Sequence, residues 1–168
     1  QFFIDVIKYC KEKTNIPIKA LIIGDGPQTQ DLIKYTNKIG LKSNYIVNEN
    51  PYDIFFCSWK KEIDCFLAAS DIVALTSLNE GTPVSIIESM ASGTASISTD
   101  VGGGSDILEN RIHGVISNNT VEDFGDDMIE LINNKKFRDN LAVNGKNRSL
   151  KLFNYNILIN NMENLYQS

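Results

Sequence analysis

Hydrophobic and polar positions change period repeatedly along this chain. The opening "QFFIDVIKYCKEK" sets Phe3, Ile7 and Cys10 at helical spacing with Lys8, Lys11 and Lys13 interleaved, which predicts an amphipathic helix. Ile18 to Ile23 ("IKALII") is a short apolar run closed by "GDGP", Gly24 to Pro27, and predicts a strand ending in a turn. "QTQDLIKYTNKIG" returns to the helical period and ends at Gly40, where a left-handed cap residue is expected. "NYIV" and "DIFFC" predict strands, with polar "NENPY" as the loop between them and Pro51 as its breaker. "KKEIDCFLAAS" predicts a short helix and "DIVALT" a buried strand. A helix is expected from about Pro83 to Ser92, with Gly93 at its end. The strand "TASIST", the glycine-rich loop "DVGGGSD", a short helix and the strand "GVIS" follow, and from Val121 onward the pattern is helical.

Short apolar strands alternating with helices imply βαβ units. The expected fold class is therefore α/β, a doubly wound parallel sheet with helices on both faces. In such sheets ligands sit at the carboxyl ends of the strands. Three glycine-rich or polar loops follow strands here, "GDGP", "TSLNEGTP" and "TDVGGGS", and all three should open toward one edge. Gly24 and Gly26 are counted among the candidate binding residues on that ground.

Composition narrows the partners. With 168 residues, 42% hydrophobic and 22% charged, the chain suits one domain with a full core and not a disordered segment. The net charge of −5 leaves no basic footprint for nucleic acid, so any bound phosphate must be held locally by backbone N–H groups and a few lysines. No apolar run is long enough to cross a bilayer, and no signal peptide is expected. The chain begins at Gln1 inside an amphipathic pattern, so it is expected to be a piece of a longer protein. Cys10, Cys57 and Cys65 lack metal-ligand or CxxC spacing and are expected to be reduced, partly buried thiols in a cytosolic setting.

The candidate chemistry lies in "LNEGTPVSIIESMASG", Leu78 to Gly93. Thr82 suits an N-cap and Pro83 a first helical position, so Glu80 and Gly81 fall in the loop and Glu88 inside the helix. Cap and Glu88 are then roughly 9 Å apart along the axis. The free N–H groups near Val84 and Ser85 lie between the two carboxylates and attract anions. A diphosphate flanked by hydroxyl-rich sugars fits that order of groups. Spacing alone favours the plainer reading, with Glu80 a surface residue of the helix entry and Glu88 a solvated one. A divalent metal would need further Asp or His ligands, which are missing nearby, so no metal is expected. "GDGPQT" lacks the third glycine of a dinucleotide fingerprint. His113, the single histidine, reads as a surface turn residue and leaves Ser–His–Asp chemistry unsupported. Trp59, beside Lys60 and Lys61, can stack on a base or merely flank the next helix. The runs "NNKKFRDN" and "NGKNRSLK" read as solvated helix faces.

"EGTPVSIIE" resembles the E-x7-E motif of retaining glycosyltransferases with the GT-B fold, specifically glycosyltransferase family 4 (group 1). "IIGDGP", "AASDIVALTS", "ESMASG", "STDVGGGSDIL" and "GVI" occur in that family's usual order, and the resemblance runs from near Gln1 to about Asn133. It implies a Rossmann-like domain, residues 1–168 being the C-terminal, donor-binding half of a GT-B fold whose N-terminal acceptor domain is absent. Glu80 would accept hydrogen bonds from the donor sugar and Glu88 from the ribose hydroxyls. Gly81, Thr82, Pro83 and Val84 would line the sugar–diphosphate junction, and Gly102 and Gly103 would let backbone approach the ligand. Ser58 to Lys61, with Trp59 and Lys60, corresponds to the segment near the base. The sequence departs from the family at Ala95, often proline, at Asp106, often glutamate, and in the longer "VNENPYD" on the base side.

The implied function is transfer of a hexose-type sugar, with retention, from a nucleotide diphosphate sugar to a glycan or lipid-linked acceptor, in cell-envelope or capsular polysaccharide synthesis. No cofactor is implied beyond the donor substrate, and the family's basic diphosphate clamp would lie upstream of Gln1. The implied location is cytoplasmic, with peripheral contact at the inner membrane face left open for the full-length protein. Two other readings stay open: another GT-B enzyme such as a nucleotide-sugar epimerase, and a non-catalytic Rossmann-like binding module. The isolated chain is expected to fold without transferring sugar.

Overall fold

Apolar runs bounded by glycine, proline and polar turns become short strands, and the segments of helical period become the helices between and after them. In chain order the elements are α1 (Phe2–Lys13), β1 (Ala20–Ile23), α2 (Thr29–Lys38), β2 (Ser43–Asn44), β3 (Ile54–Cys57), α3 (Ile63–Ala69), β4 (Ile72–Leu75), α4 (Val84–Ser92), β5 (Ala95–Thr99), α5 (Gly104–Ile107), β6 (Val115–Ser117), α6 (Val121–Asn133), α7 (Lys135–Leu152) and α8 (Tyr155–Gln167). The structure, a computed structural model, describes residues 1–45, 51–100 and 102–167. The chain divides into two compact units, Gln1–Ile63 with Thr120–Ile129, and Asp64–Asn119 with Glu130–Ser168.

In the first unit three parallel strands are ordered β1-β3-β2, with Ala20 opposite Ile54 and Ile23 opposite Cys57. α1 buries Ile4, Val6, Ile7 and Cys10, while Phe3 is only half-buried because the apolar stripe centres one position further on. The Phe2 ring meets Phe124 of α6 edge-on at 5.6 Å, and the Cys10 thiol donates to the Gly125 carbonyl at 3.6 Å. Burial, with the Asp126 charge adding to it, pushes the Cys10 thiol up to about 12, which keeps it protonated and inert. All three cysteines are free thiols, with Cys57 buried and Cys65 exposed. The predicted strand "NYIV" is realised as Ser43–Asn44, and the chain already bends at Tyr45. Ile46 and Val47 of that run, and residues 48–50 of the loop, lie outside the described residues, so most of the longer "VNENPYD" segment is not described either.

In the second unit the parallel order is β4-β5-β6, with Ile72 opposite Ala95 and Ile97 opposite Val115. β5 is buried at every residue, as a central strand should be. β4, expected to be buried, is half-exposed along its length because it is an edge strand of this sheet. Ile86 and Met90 of α4 form a core with Ile107 and Leu108, against which Leu75, Ile87 and Ile116 pack. α7 lies on α4 and β5. Leu141, Gly145 and Ser149, spaced four apart, form its buried stripe. The glycine is needed there, since a β-carbon at Gly145 would sit 2.9 Å from the His113 carbonyl oxygen. Gly40 and Gly93 take the left-handed positions after α2 and α4, as expected. Among the described residues no helix is long and apolar enough to cross a membrane.

Candidate functional site

At the carboxyl edge of the second unit, the loop after β4 and the loop after β5 come together. The Thr99 hydroxyl donates to the Ser77 carbonyl at 2.8 Å, and the Gly103 N–H donates to the Gly81 carbonyl at 3.2 Å. Glu80 stands half-buried in this loop pair, with Gly81 and Thr82 exposed beside it. Gly102 and Gly103 pack against Glu80 and Gly81 themselves, so the first neighbour that needs their missing side chains is the chain's own backbone.

α4 begins one residue later than expected. Pro83, buried and with ψ 84°, is the N-cap, and Val84 is the first helical residue. Thr82 is therefore not the cap, and no side chain caps the helix. The Pro83 carbonyl accepts from Ile86 at 3.0 Å and Ile87 at 3.4 Å. The amides of Val84 and Ser85 have no hydrogen-bond partner among the described residues. Glu88 is exposed on α4, about 7.5 Å along the axis from the cap. Among the described residues neither the Glu80 nor the Glu88 carboxylate has a hydrogen-bond or ion-pair partner. A capping role for Glu80 is thereby excluded. What stands at this edge is an open helix N-terminus with a free carboxylate before it and another one to two turns inside it. The chemistry of that arrangement suits an anion at the amides and hydroxyl groups at either side.

The first unit has a carboxyl edge of its own. Gly24 and Gly26 lie in the loop after β1, and Trp59 and Lys60 in the loop after β3. The Gly24 N–H donates to the Cys57 carbonyl at 2.9 Å, and the Trp59 main-chain N–H donates to the Asp25 carboxylate at 3.0 Å. Tyr45 and Ser58 share a hydroxyl hydrogen bond of 3.1 Å. Trp59 is 69% exposed, so it is a rim residue of this edge whose ring is open to a stacking partner. Asp25 is a residue that sequence reasoning passed over. Its signal was there, as a carboxylate between two glycines at a strand end commonly bonds nearby backbone.

His113 lies in the turn before β6, half-buried, with its Nδ1 accepting the Glu109 N–H at 3.3 Å. Burial lowers its pKa, as does the nearby Arg148 charge, against an opposing pull from Glu109. A cleft of about 410 Å³ lies beside it, lined by Asn144, Asn147, Arg148 and Lys151 among others. None of the predicted site residues lines that cleft, so the candidate site is the open loop edge and not this hollow. Among the described residues no group of three or more His, Cys, Asp or Glu is placed to hold a metal ion.

The family model described as glycosyl transferases group 1 matches residues 1–148. The UDP-Gal:alpha-D-GlcNAc-diphosphoundecaprenol alpha-1,3-galactosyltransferase of Escherichia coli is 26% identical over 168 residues, 98% of this chain and 41% of that protein. Anabaena HepE, solved in complex with UDP and glucose, has a TM-score of 0.80 at 21% identity, covering 98% of this chain and 44% of that one. The C-terminal domain of the glycosyl transferase group 1 family protein LpcC from Francisella tularensis has a TM-score of 0.76 at 24% identity, covering 92% of this chain and 78% of that one. These structural likenesses show a Rossmann-like α/β fold. The chain spans about two fifths of the length of the curated relatives it matches.

Proposed function

Because the chain belongs to the glycosyl transferases group 1 family, we propose that it is the donor-binding domain of a retaining glycosyltransferase. The donor is a nucleotide diphosphate hexose, and the acceptor a glycan or lipid-linked sugar of the cell envelope. The UDP and UDP-glucose bound by Anabaena HepE and the UDP-Gal donor of the Escherichia coli relative support uridine diphosphate hexoses as the first donors to test. The observation that carries the reading is the pair of carboxylates, Glu80 and Glu88, without partners among the described residues and set around the start of α4, which no side chain caps.

In this reading the amides of Val84 and Ser85 and the α4 dipole meet the charge that develops on the departing diphosphate. Glu88 accepts hydrogen bonds from the ribose hydroxyls and Glu80 from the donor sugar. Both are positioning groups. Glycoside hydrolysis by two carboxylates needs one of them held protonated at the scissile bond, and this reading has no such acid. No metal or cofactor takes part, and the acceptor surface and further cationic groups come from the rest of the longer protein.

Calorimetry with uridine diphosphate tests the reading. Glu88→Ala weakens nucleotide binding about tenfold or more, since a hydrogen bond to a charged group contributes roughly 1.5–3 kcal/mol. Glu80→Gln in the full-length enzyme leaves that affinity in place while turnover of the intact donor falls by one to two orders of magnitude, roughly 1.4–2.7 kcal/mol. Unchanged nucleotide affinity in Glu88→Ala returns Glu88 to a solvated helix residue. A collapse of affinity in Glu80→Gln with turnover intact makes Glu80 a nucleotide ligand instead.

A further inference from the structure

Three consecutive glycines follow β5, and they have different surroundings. A β-carbon at Gly102 would lie 1.7 Å from the Glu80 carbonyl oxygen, and one at Gly103 would lie 2.3 Å from the Gly81 carbonyl oxygen. A β-carbon at Gly104 meets nothing within 4 Å. Non-bonded heavy atoms settle at about 3.5–4.0 Å, so neither of the first two positions can carry a side chain without moving the other loop. Gly102 also holds φ +56°, in the left-handed region that favours glycine. Gly103 has an ordinary φ of −76°, so at that position the demand is for space alone. Its N–H donates to the same Gly81 oxygen that a β-carbon would strike.

We infer that Gly102 and Gly103 are positioning residues for Glu80: the bare backbone after β5 is the seat on which the Glu80–Gly81 peptide rests. This departs from the role that the resemblance implies, in which both glycines make room for ligand. The space that their side chains would fill is already filled by Glu80 and Gly81. The seat also explains how an exposed loop carries a defined carboxylate. Thr99 ties the loop at Ser77, and the glycine backbone supports it three residues later, so Glu80 is held from both sides without using its own side chain. The inference rests on the proposed reading only for what Glu80 then does.

An added methyl at Gly102 forces the two loops apart by more than 1 Å. A misplacement of that size can cost about a hundredfold in rate when the displaced group positions a reacting substrate. The test compares Gly102→Ala, Gly103→Ala and Gly104→Ala in the full-length protein, by three measurements. These are amide hydrogen exchange of the Leu78–Pro83 segment without ligand, affinity for uridine diphosphate, and release of uridine diphosphate from UDP-glucose and UDP-galactose. Gly102→Ala and Gly103→Ala should exchange faster across Leu78–Pro83. They should lose turnover by about a hundredfold and about tenfold respectively, and keep uridine diphosphate affinity within about threefold. Gly104→Ala should match wild type in all three. Should Gly102→Ala fail to fold, Gly103→Ala, with its ordinary backbone, decides the matter. Unchanged exchange in Gly103→Ala overturns the inference, as does a loss of uridine diphosphate affinity as large as the loss of turnover. Faster exchange in a protein whose wild type binds no uridine diphosphate sustains the seat and overturns the donor-binding reading.

Discussion

In the first unit the glycines of the carboxyl edge stand in open space, whereas in the second unit two of them are pressed against another loop. β-Carbons at Gly24 and Gly26 meet nothing within 4 Å, while those at Gly102 and Gly103 strike carbonyl oxygens. The means of tying the loops differ in the same direction. The first unit uses an exposed side chain, the Asp25 carboxylate accepting from the Trp59 amide. The second uses a buried hydroxyl, Thr99 on Ser77, and direct backbone contact. One edge is adjustable and the other is seated. A glycine count would have treated the two loops alike.

The contrast can be broken most easily at Thr99. Thr99→Val keeps the side chain's shape and removes the donor to the Ser77 carbonyl, at a cost of about 1–2 kcal/mol. The expected result is a fall in the thermal midpoint of roughly 2–8 °C by calorimetry. No change would mean that backbone contact alone holds the loop pair.

A smaller effect is expected at Asp25, because its bond to the Trp59 amide is exposed to water. Asp25→Ala should cost less than about 1 kcal/mol in stability and raise the mobility of the Trp59 ring. Trp59 is the only tryptophan in the 168 residues, so its fluorescence anisotropy in this chain reads that mobility directly. Asp25→Asn keeps an oxygen acceptor and should match wild type. Equal loosening in both variants would show that the charge, and not the acceptor, holds the loop.

Least of all is expected at Gly26, whose surroundings are open. Gly26→Ala should be neutral or stabilising by up to about 1 kcal/mol, through reduced freedom of the unfolded chain. Destabilisation there, in urea titration, would erase the distinction between the two edges.

Much of the architecture was legible in the order of periods. The strands "DIFFC" and "TASIST" and the helix closed by Gly93 appear where the pattern puts them, because burial of short apolar runs and glycine caps are local requirements. α4 starts one residue later than the pattern predicts. Thr82 and Pro83 are both good candidates for the boundary, and the choice depends on the proline's ψ, which composition does not reveal. "TASIST" carries two serines, yet Ser96 and Ser98 are fully inside. Ser96 donates to the Ser89 hydroxyl at 3.1 Å and Ser98 to the Thr99 carbonyl at 2.9 Å. Most buried hydroxyls find a partner, and for Ser96 that partner comes from another element; the Ser117 hydroxyl of β6 is buried without one among the described residues.

The sequence by itself determined the alternation of strands and helices, the place of the three loops after strands, and the pairing of Glu80 with Glu88 around a helix start. These follow from side-chain period and local backbone preference, which act over a few residues. Only the tertiary structure decided that Glu80 caps nothing, that the Asp25 carboxylate bonds the Trp59 amide, and that Gly102 and Gly103 have no room for a β-carbon beside Glu80 and Gly81. The last two are contacts between segments 22 and 34 residues apart, and they exist only once parallel strands have brought their carboxyl ends side by side.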